Sequence, residues 1–263
     1  MGPGGAQDRR EARLTRAVNA MADLLIDDDG AVRILIMNRP EKRNALNLAL
    51  SEALFDALRE ADSAADVRAM VLTGAGPAFC AGADLSEFAA LSSANAALVE
   101  RRADITAKLH GVFSQLTKPV VTAINGAAMG GGAGLALAGD IAVMAATAKL
   151  GYPEVKHGIV ASVVMANLVR QAGRKAAFEL VATGEAIDAA RALELGLVNR
   201  VVAPQMLMHE ALQSARTMAA VAPQAMAATK ALFYRVAELP FDQALEAGRE
   251  MNQRMRGFRK DKP

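Results

Sequence analysis

The sequence predicts an α/β fold with mainly parallel strand pairing. Short apolar runs alternate with stretches of helical periodicity up to about Ala203. Two of those runs lead through glycine-rich loops into helices, "VLTGAGPAFCAGADL" and "VTAINGAAMGGGAGLALAGD". Beyond Ala203 the alternation stops, and Pro204, Pro223 and Pro240 punctuate three helical stretches with no strand between them. The 263 residues therefore divide into a tail over 1–20, a core over 21–203 and a helical region over 204–263.

The elements follow in order. The tail "MGPGGAQDRREARLTRAVNA" is small and charged and has no apolar signal-peptide core. "LLIDDDGAVRILIMNRP" is a hairpin around Asp29-Gly30, ended by Pro40. "NALNLALSEALFDALREAD" spaces Leu46, Leu50, Leu54 and Leu58 by four, the stripe of a one-faced helix. "VRAMVLTG" is a buried strand before the first glycine loop, and residues 94–116 are helical. "KPVVTAIN" is a strand that Pro119 starts; the second glycine segment follows, then a strand in "DIAVMAA".

Composition removes several function classes. Apolar residues make up 52%, enough for a sizeable core, while aromatics are 4% and Trp is absent. The net charge of +2 argues against a nucleic-acid binder. No apolar run reaches membrane-spanning length, so no membrane partner is expected. The lone Cys80 can form no internal disulfide and reads as a small buried apolar residue. His110, His157 and His209 are scattered, and no metal site is expected. A reducing, cytoplasmic setting fits these features.

A glycine loop entering a helix presents free backbone N–H groups, which suit a phosphate or a developing oxyanion. Close packing of backbone is the other reason for such glycines. The nucleotide-loop patterns fail: GxxxxGK[ST] is absent, and GxGxxG finds Leu135 and Phe79 where its last glycine belongs.

"NRPEKRNALN", "AFCAGADL", "KPVVTAINGAAMGGGAGLALAGD", "LGYPEVKHGIV" and "ATGEAIDAARALELGLVNRVV", in that order, resemble the crotonase (enoyl-CoA hydratase/isomerase) superfamily over about residues 23–202. The resemblance implies a crotonase-type spiral of strand-strand-helix repeats with a C-terminal helical trimerisation region, assembled as a homotrimer or a dimer of trimers. It implies an acyl-coenzyme A thioester substrate from fatty-acid metabolism and no cofactor beyond the coenzyme A that the substrate carries. Its oxyanion hole falls on the N–H groups of Ala83 and Gly131, and its acid/base on Glu154. Coenzyme A would lie against Arg43, Ala45, Ala81, Asp84 and Leu85, with Lys230 and Tyr152 as auxiliaries: Lys230 reaching a phosphate from a neighbouring subunit, Tyr152 beside Glu154.

The chemistry suits that assignment. Abstracting a proton α to a thioester, or adding water across its double bond, builds negative charge on the carbonyl oxygen. Two preorganised N–H donors stabilise it by about 3 kcal/mol each. Three departures from the family pattern stand out. Family hydratases carry a second glutamate where this chain has Gly134. One carboxylate suits a one-base proton shuttle, which places double-bond isomerisation ahead of hydration. Substitute acids would come from Asp84, Glu87, Glu100, Tyr152 or His157. In "GIVASVVMANLV", expected to line the acyl pocket, Ala161, Ser162, Val163 and Val164 stand where many hydratases have glycines. The chain closes on "RMRGFRKDKP", where many members carry a further helix. The rival reading is a non-catalytic acyl-CoA binding or carrier protein, which would have no use for Glu154.

Overall fold

A computed structural model describes residues 22–88, 91 and 93–258, so the expected tail lies outside the described residues. The main sheet has six strands in the order β1-β2-β3-β5-β7-β10. β1 (Leu24–Asp29) and β2 (Val32–Met37) form the expected hairpin, with Asp29 paired to Val32. The turn is thus Gly30-Ala31, one residue beyond the expected Asp29-Gly30. Gly30 takes φ +61 at the first turn position, where glycine carries no Cβ penalty.

β3 (Ala69–Gly74), β5 (Val120–Ile124), β7 (Ile141–Ala145) and β10 (Arg200–Val202) add to β2 in parallel. β5 is buried along its whole length, as a parallel strand covered on both faces must be, and its sequence is accordingly an unbroken VVTAI. α1 (Leu48–Ser63) starts at Asn47, whose side-chain carbonyl accepts from Leu50 N–H at 2.7 Å. Its buried face carries Leu50, Leu54 and Leu58. Leu46, the first leucine of the expected stripe, lies before the helix and pairs with Ala83 instead. α2 (Ala96–Gly111) runs on into a 3-10 turn over Val112–Gln115.

A second sheet, β4-β6-β8-β9, was not foreseen. β4 (Ala78–Cys80), β6 (Ala127–Met129) and β8 (Lys149–Gly151) have three residues each and β9 (Ile187–Asp188) two. α3 (Gly131–Ala136), α4 (Met165–Thr183) and α5 (Ala189–Glu194) complete the core.

The last helices are α6 (Leu207–Ala219), α7 (Pro223–Val236) and α8 (Phe241–Arg254). The expected boundary at 203/204 is not a break in packing. α6 lies on β3, β5 and β7, and its Leu207, Ala211 and Ala215 belong to the same buried cluster as the sheet. α7 is pinned by a buried charge. Lys230, 5% exposed, donates to Asp140 Oδ2 at 2.7 Å and to the Lys118 carbonyl at 2.9 Å. Asp140 also accepts from Val120 N–H and from the Tyr234 hydroxyl. Removing one partner of such a pair strands the other charge, so Lys230→Met is expected to cost about 3 kcal/mol in urea denaturation.

Candidate active site

The small sheet organises the candidate site. β4, β6 and β8 run parallel, with Ala78 opposite Ala127, Ala128 opposite Leu150, and Met129 opposite Gly151. Their carboxyl ends therefore lie side by side, where α/β proteins place ligands. From β4 issues Ala81-Gly82-Ala83, from β6 Gly130-Gly131, and from β8 Tyr152-Pro153-Glu154.

Residues 81–84 and 43–46 form a ribbon. Ala81 N–H donates to the Arg43 carbonyl at 2.9 Å, Leu46 N–H to Gly82 at 2.7 Å, and Asp84 N–H to Leu46 at 2.9 Å. A parallel bridge of Leu46 with Ala83 uses the carbonyl of residue 82 and the N–H of residue 84, so Ala83 N–H points to the opposite side. The second donor is Gly131 N–H, which opens α3 and so has no partner within that helix. The two turns touch: a Cβ on Gly82 would fall 2.7 Å from the Met129 carbonyl and 3.4 Å from Gly131 N. Gly82 at φ +91 and Gly130 at φ +53 occupy backbone conformations that favour glycine. Gly132 is needed for a different reason, since a Cβ there would lie 2.2 Å from the Cys80 carbonyl oxygen. At Gly131 itself, a Cβ would meet only Leu46 Cδ1 at 3.6 Å and Gly82 Cα at 3.9 Å, ordinary contacts. The protein does not require glycine at 131.

Charged side chains hold the ribbon from behind. Arg39 bonds Asp84 Oδ2 at 2.9 Å and the Ala45 carbonyl at 2.5 Å. Arg102, from α2, donates to the Leu46 carbonyl at 2.6 Å, directly behind Ala83. Asn44, fully buried at φ +57, donates to the Ala78 carbonyl at 2.8 Å and accepts from Arg39 N–H at 2.9 Å. The Ser86 hydroxyl, and then Arg39, hold the Asp84 carboxyl down to about 2. Arg39, Asn44 and Arg102 were missed by sequence reasoning. Two of them sit inside "NRPEKRNALN", but nothing in that string says which side chains turn inward.

Glu154 stands on a 3-10 turn, Pro153–His157, opened by proline. Its Oε1 lies against Gly130, where an added Cβ would come within 2.7 Å. Its Oε2 is buried and has no hydrogen-bond partner among the described residues, and the same holds for the Tyr152 hydroxyl. Burial pushes the Glu154 carboxyl above the ordinary range, with the nearby His157 opposing. Burial and the Glu154 charge together push the Tyr152 phenol up. A carboxylate kept poorly solvated at a cleft is equipped for proton transfer.

The other expected residues divide. Arg43, Ala81 and Leu85 are exposed along the ribbon, Leu85 at 55%, while Ala45 is buried under it. Asp84 turns its carboxylate inward to Arg39 and Ser86. Lys230, expected at a coenzyme A phosphate of a neighbouring subunit, has its ammonium enclosed in the Asp140 pair within this chain. Glu87 accepts from Leu48 N–H at 2.9 Å, and Glu100 and His157 are exposed. The "GIVASVVMANLV" segment splits, with Ile159 and Val160 exposed and Ala161 and Val164 in the core. Cys80 is buried, its thiol pushed up to about 12, which fits an inert packing residue. No group of three His, Cys, Asp or Glu among the described residues could hold a metal ion.

Comparison with known proteins matches this architecture. The family model for enoyl-CoA hydratase/isomerase matches residues 27–261. A Thermus thermophilus protein that carries an enoyl-CoA hydratase name is 43% identical over 206 residues, 78% of this chain and 81% of that one. The 2,3-dehydroadipyl-CoA hydratase of Escherichia coli is 36% identical over 229 residues, 87% and 86% of the two chains. The crystal structure of an enoyl-CoA hydratase from Mycobacterium smegmatis superposes with a TM-score of 0.84 at 36% identity, covering 89% and 91%. The chain belongs to the enoyl-CoA hydratase/isomerase family, within the crotonase superfamily.

Proposed function

We propose that the protein binds an acyl-coenzyme A thioester with its carbonyl oxygen between Ala83 N–H and Gly131 N–H, and that Glu154 is its single acid/base. The observation that carries this is the convergence of three strand ends: two outward N–H groups on touching turns, and a poorly solvated carboxylate against Gly130. Arg43, Ala45, Ala81, Asp84 and Leu85 lie along the ribbon that leads away from Ala83, and would receive the coenzyme A portion. Asp84 does so through its backbone, since its carboxylate is engaged. Coenzyme A enters only as part of the substrate, with no separate cofactor. The exposed Phe178, Phe233 and Phe241 on the outer helices offer apolar faces for assembly as a homotrimer or a dimer of trimers.

The favoured reaction moves a double bond. The Glu154 carboxylate takes a proton from C2 of a 3-enoyl thioester. The electron pair passes through C1 to the thioester oxygen, where the two N–H donors stabilise it at about 3 kcal/mol each. The dienolate then collapses: the C2–C3 bond becomes double, and C4 takes the proton back from Glu154. Asp84 and Glu87, the carboxylates beside the ribbon, are engaged in holding it, and Glu154 is the one assigned to proton transfer. Hydration is the second reading. The names of the relatives favour it, and so do the buried, unpartnered Tyr152 hydroxyl and Glu154 Oε2, two groups able to orient water. A carrier role leaves the poorly solvated Glu154 without a purpose.

Incubation with a 3-enoyl-CoA and, separately, a trans-2-enoyl-CoA in deuterated water separates these readings, with water gain read by mass and isomerisation by the ultraviolet absorbance of the conjugated 2-enoyl thioester. Conversion of the first to its 2-enoyl isomer without water gain is the expected result. Gain of one water by the second means hydration, and binding without turnover means a carrier. Glu154→Gln should lower kcat by about 10²-fold or more. Gly131→Ala should fold with near-normal Tm, because its methyl makes only ordinary contacts with Leu46 and Gly82, yet lose thioester turnover, because the methyl would crowd a thioester held between the two N–H groups.

Stability should move the other way. A carboxyl whose pKa is raised by folding adds stability that is fully present at low pH and lost as pH rises through the folded value. Glu154→Gln should therefore raise Tm at pH 7–8, and the gain should disappear on acidification. A Tm that falls at neutral pH would contradict the burial assigned to this carboxylate.

A further inference from the structure

His110, near the end of α2, is buried at 6% exposure and has no part in the chemistry above. Its Nδ1 lies 2.8 Å from the Thr106 carbonyl oxygen, one turn back on its own helix. Its Nε2 lies 3.0 Å from the carbonyl oxygen of Gly131, across on α3. Both partners are acceptors, and a neutral imidazole carries one N–H. Only one of the two contacts is therefore a full hydrogen bond. Burial and the charge of Arg102 both hold the ring below its ordinary pKa, which favours the neutral form.

The ring also fills the space beside Gly134. A Cβ at 134 would fall 2.8 Å from His110 Cδ2, 2.9 Å from its Nε2 and 2.4 Å from Val164 Cγ1. α3 has six residues, too few to be stable without tertiary support. Its first turn is held by Gly130 N–H on the Gly151 carbonyl at 2.8 Å, by Gly132 seated on Cys80, and by His110. His110 is the side chain among these three anchors, and it binds the very residue whose N–H faces the ligand.

We propose that His110 is a positioning residue for the oxyanion site: its Nε2–H donates to the Gly131 carbonyl and so fixes the first turn of α3, the turn that carries the Gly131 N–H. This rests on the reading of Gly131 N–H as a thioester donor. In that role Nδ1 stays unprotonated, and the contact with Thr106 is tolerated as a cost of orienting α3. The ring takes the volume that any side chain at 134 would need, so the position is filled from α2 and not from α3.

Three variants and two measurements test it. Gln can place an amide N–H where Nε2 stands, Asn reaches only as far as Nδ1, and Leu fills the space without donating. Butyryl-CoA labelled with 13C at the carbonyl is bound to each protein, and the carbonyl stretch is read by isotope-edited infrared spectroscopy. The wild type is expected to shift the band to lower frequency. His110→Gln should keep that shift and a kcat within about threefold of wild type. His110→Leu and His110→Asn should return the band toward its solution position and lower kcat about tenfold or more, with KM changed less than threefold; complete loss of one such donor costs about 10²–10³. An unshifted band in the wild type would overturn the oxyanion reading itself. A shifted band that His110→Leu leaves in place, or that His110→Gln loses equally, would overturn the role of His110 alone. Nitrogen-15 NMR of the wild-type ring needs no variant: a proton on Nε2 is expected, and a proton on Nδ1 sinks the proposal.

Discussion

The site depends on backbone meeting backbone. Gly132 sits so close to Cys80 that a single methyl would overlap its carbonyl oxygen. That contact brings the ends of β4 and β6 together, and β8 follows beside them through the pairing of Met129 with Gly151. Three short strands then deliver three short segments to one edge. Because the donors are main-chain N–H groups, their geometry is set by strand pairing and not by rotamers. Such a site needs no reorganisation as charge develops on a bound oxygen.

Behind the glycines stands a layer of cations that no ligand would touch. Arg39 and Arg102 bind the carbonyls of Ala45 and Leu46 and the carboxylates of Asp84 and Glu87. They fix the ribbon that carries Ala83, and their charge is partly neutralised by the same carboxylates. Glu154 is treated in the opposite manner: it is left with an unpartnered oxygen and a raised pKa. The scaffold is thus held by satisfied polar groups, while among the described residues the buried Tyr152 hydroxyl and Glu154 Oε2 beside it have no hydrogen-bond partner.

Much of the larger architecture was legible in sequence because long apolar periodicities are local signals. The hairpin, α1 and the buried strands of the main sheet came from runs such as LLIDDD and VVTAI. The small sheet was not legible. Its strands have three residues or fewer, and their Gly- and Ala-rich composition shows neither a period of two nor β-branched enrichment. The expectations at Glu154, Ala83 and Gly131 came from resemblance, since a lone glutamate or an alanine N–H has no composition of its own. The Lys230 pair was not legible, because a lysine in a helix looks solvent-exposed until the aspartate 90 residues away is folded against it. Arg102 and His110 escaped for the same reason: their partners are carbonyl oxygens, and sequence carries no mark of which carbonyl a side chain will find.

The crowding around Gly134 has a consequence for how this lineage can change. A carboxylate introduced there would have to displace the ring from α2 and the valine before α4, which lie within 3 Å of where its Cβ would stand. Shrinking either neighbour first opens a cavity, which by itself costs stability. A side chain at 134 would therefore call for a compensating change at His110 or Val164. Packing, and not chemistry, would set the tempo at which such an enzyme acquires a second proton carrier.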